Sequence, residues 1–283
     1  MMHTKYTQRE KATRFHELHK EGNFVLMPNI WDVLGAKLLE DSDYPAIATA
    51  SASIAFTNGY PDGECIPFTD VVPILTRIAN SVNIPVTADI ESGYSDNDSK
   101  FQENIKTLIT TGIVGINIED TNHTKRSIFS IDDQCKRIKL IRAIADDLEL
   151  PLFINARTDV LLYDEIFPTD ELQYKELLQR GIAYKEAGAN CFFPIALRNK
   201  DVIQKLVTQL KLPINILAIA GIPDFKTLKE IGVTRVSLGP SFLKIAIKAM
   251  KTLSIELKYL DGLSTITENE ITTDYLKTLI NKS

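Results

Sequence analysis

The sequence predicts an α/β protein, a (β/α)8 TIM barrel with an extra N-terminal helix and a C-terminal helical extension. Three observations carry this. Eight short apolar runs recur between residues 24 and 240, and stretches with helical spacing separate them. No GxGxxG or GxxxxGK(S/T) follows an early strand, as the rival doubly wound sheet usually shows. The length of 283 residues, 44% of them apolar, suits one such barrel. A single domain over 1–283 is therefore expected: N-terminal helix 1–23, barrel 24–260 and extension 261–283.

The strand runs are "FVLMPNI" (24–30), "AIATAS" (46–51), "PVTADI" (85–90), "IVGINIED" (113–120), "PLFINART" (151–158), "CFFPIA" (191–196), "PINILA" (213–218) and "RVSLGP" (235–240). Pro45, Pro85, Pro151 and Pro213 enter four of them, and proline is tolerated where a strand begins. The runs read as apolar on both faces, as parallel strands covered on both sides do. In "SIDDQCKRIKLIRAIADDL" (130–148), Ile131, Cys135, Ile138, Ile141, Ala145 and Leu148 form a stripe. Ser130 and Asp133 resemble its capping box. Gly188 reads as the stop of a helix over 174–190. Residues 241–260 form the eighth helix, and its apolar character suggests subunit pairing.

Composition excludes several roles. A net charge of −5 argues against nucleic acid as the main partner. No apolar run approaches the roughly 18–20 residues that span a bilayer, so no membrane partner is expected. The polar start has no apolar signal core, and Cys65, Cys135 and Cys191 share no ligand or disulfide spacing. A cytoplasmic protein is expected. His16 and His19 read as solvent-facing on a polar helix, Cys135 and Cys191 as core, and Trp31 as a packing anchor.

Barrel enzymes place their chemistry at the C-terminal ends of the strands. There this sequence puts Ser51 and Ala52, Asp62 in "GYPDGE", Asp89 and Glu91, Glu119 and Asp120, Arg157 and Asp159, and Asn215. Asp62 reads equally as a turn residue. Asp89 and Glu91, two apart, fall on one strand face beside Glu119 on the next strand. Buried like charges repel, and a divalent cation relieves them. Oxygen ligands suit Mg2+ or Mn2+, so Asp62, Asp89, Glu91 and Glu119 are the expected metal-holding set. Arg157 is either a structural partner of Asp120 or Asp159, or holds a substrate carboxylate or a developing enolate oxygen.

These residues resemble the isocitrate lyase / phosphoenolpyruvate mutase superfamily over about 24–245. The likeness rests on "PNIWDVLGAKLLE", "ATASASIAFTNGYPDGE", "VTADIESGYSD", "GINIEDT", "NARTDVLL", "YKEAGANCFFPIAL", "PINILA" and "GVTRVSLGP". The resemblance implies a Mg2+-dependent enzyme acting on a small anionic 2-oxo or 2-hydroxy acid through an enolate-like intermediate. It implies that Asp62, Asp89, Glu91 and Glu119 hold the metal, mostly through waters. Catalysis falls to Arg157, Asp62 and Glu119, and substrate binding to Ser51, Ala52, Asp89, Arg157 and Asn215. A homodimer or homotetramer, often with an exchanged last helix, is implied as well.

The chain departs from the lyases after the fourth strand. Their Lys-Arg-Cys-Gly-His motif aligns with Lys125, Arg126, Ser127, Ile128 and Phe129, so the thiol that serves as catalytic acid is a serine here. A hydroxyl is far too weak an acid to replace it directly. Isocitrate and 2-methylisocitrate cleavage are therefore not expected. Oxaloacetate decarboxylation is expected first. The alternatives are a phosphonopyruvate hydrolase or mutase, which breaks a C–P bond, and a non-catalytic binding descendant.

Overall fold

The computed structural model describes residues 6–281. All eight expected runs form parallel strands. The first is broken at Pro28, which has no N–H for the ladder, into β1 (Val25–Met27) and β2 (Asn29–Ile30). From β2 the ladder runs through β3 (Ile47–Thr49), β4 (Val86–Asp89), β5 (Gly115–Ile118) and β8 (Phe153–Thr158) to β9 (Cys191–Pro194). A separate short hairpin, β6 (Thr121–Asn122) with β7 (Ser127–Ile128), follows β5. On the other side β1 pairs with β11 (Arg235–Ser237), which pairs with β10 (Asn215–Leu217). Phe192 and Ile214 form a parallel bridge that joins β9 to β10 and completes the circuit.

Helices lie between the strands: α2 (Val33–Asp41), α3 (Ser51–Thr57), α4 (Phe68–Ser81), α5 (Asp98–Thr110), α6 (Ile131–Asp147), α7 (Asp170–Ala187), α8 (Lys200–Leu210) and α9 (Phe225–Glu230), after an N-terminal α1 (Gln8–Leu18). α6 is capped as expected, the Asp133 N–H donating to Ser130 Oγ at 3.1 Å. Its stripe is narrower than the periodicity suggests. Ile138, Ile141 and Ala145 are buried with Ile144, whereas Leu148, at the C-cap, is exposed. Gly188 ends α7 at φ 109°, where a side chain would be strained.

The strands are not apolar on both faces. Val86, Ala88, Ile116, Ile118, Ile154 and Ala156 are buried core residues. Alternating with them, Thr87 and Asp89, Asn117, and Asn155 and Arg157 line a cavity inside the ring. Period two makes each strand carry an apolar set and a polar one. The polar set is tolerated because the mouth half of the barrel is hollow rather than packed.

The opposite end is closed by α1. Phe15 meets Phe153 edge-on at 5.1 Å between ring centroids. His19 is buried rather than solvent-facing: its ring lies 4.3 Å from that of Phe153, and Nδ1 is 2.8 Å from the Phe15 carbonyl oxygen. His16 is half-buried, with Nε2 3.0 Å from the Pro151 carbonyl oxygen. The expected extension is helical, with α10 (Ser241–Lys258) followed by α11 (Leu263–Thr267) and α12 (Thr273–Asn281). Tyr275 on α12 donates to Asp41 of α2 at 3.1 Å, so the tail returns to the barrel. The parts of the expected terminal segments at residues 1–5 and 282–283 lie outside the described residues. All three cysteines are free. Among the described residues no helix is long and apolar enough to cross a membrane.

Candidate active site at the barrel mouth

The predicted residues come together in two adjoining cavities, all from the C-terminal side of the strands except Asn215, which opens β10 and reaches the inner cavity from below. The inner one, about 180 Å³, is lined by Ser51, Ala52, Asp62, Asp89, Arg157 and Asn215 among others. The outer one, about 400 Å³, opens between Asp62, Glu91, Glu119, His123, Arg157 and Asp159. Ser51, Asp62 and Arg157 line both.

Asp89 ends its strand and is held from two sides. Its Oδ2 accepts from the Ser51 N–H at 3.2 Å and from Ser51 Oγ at 2.7 Å. Its Oδ1 accepts from Asn117 Nδ2 at 2.8 Å, and Asn117 Oδ1 accepts from Asn155 Nδ2 at 2.8 Å. The Ser51 donors expected for a substrate carboxylate thus already orient Asp89. Ala52 follows in the first turn of α3 and faces the same space.

Glu91 does not reach the site by strand alternation with Asp89. The strand ends at Asp89, and Glu91 sits at φ 51°, in the left-handed region, which costs a non-glycine residue about 1–3 kcal/mol. Glu64 compensates. Its carboxylate accepts from Ser92 N–H at 3.1 Å, Ser92 Oγ at 2.7 Å and Tyr94 N–H at 2.7 Å, fixing the turn. The Glu64 N–H and the Tyr94 hydroxyl donate to Glu91.

Glu119 stands between two cationic side chains. Its Oε1 is 2.7 Å from His123 Nε2, and its Oε2 is 2.7 Å from Arg157 Nη1. Arg157 also donates through Nε to Asp159 Oδ1 at 2.6 Å and through Nη2 to Asp159 Oδ2 at 3.1 Å. Its structural partner is therefore Asp159 and not Asp120. Asp120 is turned away from the mouth, fully buried, with Arg180 Nη1 at 2.9 Å and the Tyr184 hydroxyl at 2.7 Å. It also accepts the Asp159 N–H at 2.8 Å and so supports the mouth from behind.

Burial and mutual repulsion leave these acids short of positive charge. Burial, then Glu119 and Asp89, push Glu91 up to about 8. Burial raises Glu119 to about 7 against the pull of Arg157. Asp62, at the mouth, is raised by its protein surroundings and by Asp89. Burial disfavours the His123 imidazolium, but Glu119 and the other acids outweigh it and raise His123 to about 9. This electrostatic shortage and the oxygen-rich donor set fit a hydrated Mg2+ or Mn2+. Among the described residues no three His, Cys, Asp or Glu side chains form a cluster that could hold a metal ion by themselves.

Sequence reading missed Glu64, His123, Asn117 and Asn155. Asn117 and Asn155 were legible as polar interruptions at inward positions of "IVGINIED" and "PLFINART". Glu64 and His123 lie in loops with no periodic signal. Ser127, aligned with the lyase cysteine, pairs with Asn122 in the hairpin and lines neither cavity.

A parallel α/β barrel with carboxylates and an arginine gathered at its C-terminal mouth has the layout of a barrel enzyme. Residues 15–258 match the family described as phosphoenolpyruvate phosphomutase. The chain belongs to that family, within the isocitrate lyase / phosphoenolpyruvate mutase superfamily. It is 30% identical over 225 residues to an uncharacterised protein of Mycobacterium tuberculosis, covering 80% of this chain and 81% of the other. It is 27% identical to the chloroplastic carboxyvinyl-carboxyphosphonate phosphorylmutase of Arabidopsis thaliana, covering 94% and 77%. It is 24% identical to an oxaloacetate decarboxylase of Pseudomonas entomophila, covering 83% and 80%. A crystal structure from Burkholderia cenocepacia J2315, described provisionally as a phosphonomutase, superposes with TM-score 0.81 at 34% identity, covering 89% and 99%.

Proposed function

We propose that this protein is a cytoplasmic, Mg2+-dependent carbon–carbon lyase of the oxaloacetate-decarboxylase type. Its substrate would be a small 2-oxo or 2-hydroxy (di)carboxylic acid. The observation that carries this reading is the convergence of Asp62, Asp89, Glu91, Glu119 and Arg157 on one cavity system. Asp62, Asp89, Glu91 and Glu119 would hold the ion, mostly through waters. When bound, the ion would supply Lewis-acid polarisation of the substrate oxygens.

The chain's own residues do the rest. Arg157, kept cationic by Asp159 and Glu119 despite its burial, faces the oxygen on which charge develops. In decarboxylation the bond to the departing carboxylate breaks, CO2 leaves, and its electron pair passes into the enolate of the remaining 2-oxo acid. A proton from solvent then completes the product. No thiol acid is needed to break the bond, which agrees with Ser127 lying outside both cavities.

The Arabidopsis relative's name favours a second reading, a C–P bond enzyme of the phosphonopyruvate hydrolase or mutase type. Product analysis with oxaloacetate and phosphonopyruvate side by side separates the two. CO2 and pyruvate from the former support the lyase, whereas phosphate or phosphoenolpyruvate from the latter supports the alternative. Metal binding with no turnover of either acid would favour a binding descendant. Assembly as a homodimer or homotetramer belongs to the same proposal. It is supported by α10, where Ile245, Ile247 and Met250 are exposed.

A further inference from the structure

The inner cavity has two unlike flanks. One carries the polar residues already described, Ser51, Asp62, Asp89 and Arg157. The other is built at the mouth ends of β9 and β10 and just after β11, and it presents Phe193, Ile195, Leu217 and Pro240. Phe193 is the register partner of Arg157 on the neighbouring strand. The change from charge to hydrocarbon therefore falls between adjacent inward positions near the mouth.

These apolar side chains do not serve the core. Phe193 is buried, yet among the described residues it stands outside the connected apolar core. Ile195 and Leu217, both half-buried, stand outside the shell packed against that core as well. The polar neighbours on this flank are turned to other partners. Ser237, beside Leu217 in register, accepts from Asn215 Nδ2 at 3.1 Å. Asn29 donates to the Thr49 carbonyl oxygen at 2.8 Å and accepts the Leu238 and Gly239 N–H groups at 2.8 and 3.1 Å. Arg235 opens β11 at the end away from the mouth and is buried. Hydrocarbon that lines an open cavity stays in contact with water until an apolar group covers it. A carboxylate pressed against it would lose water and find no donor in return.

We propose that the substrate carries a short alkyl substituent beside its reacting carbon, and that Phe193, Ile195 and Leu217 form the wall that selects it. The acid head meets Arg157 and the acids on the polar flank, and the substituent lies across the cavity on the wall. The cavity, about 180 Å³, keeps that substituent short. This inference rests on the reading of the site as one for 2-oxo or 2-hydroxy acids and narrows that class to alkyl-substituted members.

The test is calorimetric titration of the Mg2+-loaded protein with pyruvate, 2-oxobutyrate and 2-oxovalerate, which share a head and differ by one methylene each. A fourth ligand, 2-oxoglutarate, has a carboxylate where 2-oxovalerate ends in a methyl group. Wild type is expected to gain about 3- to 4-fold in affinity per methylene, and so about 10-fold from pyruvate to 2-oxovalerate. It should bind 2-oxoglutarate at least about 10-fold more weakly than 2-oxovalerate. Leu217→Ser should bring 2-oxovalerate and pyruvate to within about 3-fold of each other. Should that variant not fold, Ile195→Ser carries the same test. Equal affinities along the series, tighter binding of 2-oxoglutarate than of 2-oxovalerate, or a folded variant that keeps the wild-type gain each overturns the wall, while the reading of the site survives. If wild type binds none of the four acids, both fail.

Discussion

Two arginines line the same cavity in opposite electrostatic states. Arg157, at the mouth, is tied to Glu119 and Asp159 by three nitrogens, so those acids brace its charge. Arg235, deep in the barrel, has buried nitrogens with no partner among the described residues. The difference separates a charge braced by acids from one buried without a partner among the described residues. A paired buried ion is costly to break, whereas an unpaired one costs stability.

The largest effect expected at the mouth is on turnover. Asp89→Ala should lower metal-dependent activity by about 10³-fold or more. Circular dichroism should stay unchanged, because the lost carboxylate supports the site rather than the core. Retained activity would remove the mouth from the chemistry and with it one side of the comparison.

The next effect bears on the two arginines directly. Arg157→Met strands Glu119 and Asp159 and should cost about 3–5 kcal/mol in denaturant unfolding. Arg235→Met removes an unpaired ion and should leave stability unchanged or raise it. Equal losses would show that Arg235 is as structural as Arg157.

A smaller, pH-dependent effect follows from the acids. Glu91 and Glu119 are raised in the folded protein, to about 8 and about 7, from an ordinary 4.5. Their contribution to metal-free stability is therefore present below about pH 4.5 and lost as pH rises through about 7–8. A divalent ion reverses that loss. Thermal stabilisation by saturating Mg2+ should thus be greater at about pH 8.5 than at about pH 5.5, by up to about 2–3 kcal/mol. Equal stabilisation at both values would count against these acids as the metal's support.

The smallest effect at neutral pH lies at the closed end. Burial lowers His19 to about 3, so the unfolded chain gains this proton below about pH 6.5 while the folded one refuses it until about pH 3. Stability should fall as pH drops across that window, and His19→Gln should flatten the slope. An unaltered slope in urea unfolding would show that His19 takes its proton while folded.

The carboxylates of the site were legible because they interrupt apolar runs at strand ends, as Asp89 and Glu119 do. Arg157 was legible for the same positional reason, whereas Asp62 lies in the loop beyond α3 and Asn215 opens β10 instead of ending it. Glu91 lines the mouth by a geometry that strand alternation does not predict, since its place depends on a left-handed turn that Glu64 stabilises from another loop. Asp120 carried the same strand-end signal as Glu119 yet serves Arg180 and Tyr184. His19 looked like one of several polar residues on a polar helix, and only the docking of α1 on Phe153 buries it.

By itself the sequence determined the order of strands and helices, the closed ends of α6 and α7, and the set of acids that could meet. Those are consequences of periodicity, capping and chain direction, which act over a few neighbouring residues. Only the tertiary structure decided which charges found partners. Pairing depends on distances of a few ångströms between segments far apart in the chain. For that reason Arg157 became a braced residue in the folded barrel, while Arg235 keeps buried nitrogens without a partner among the described residues.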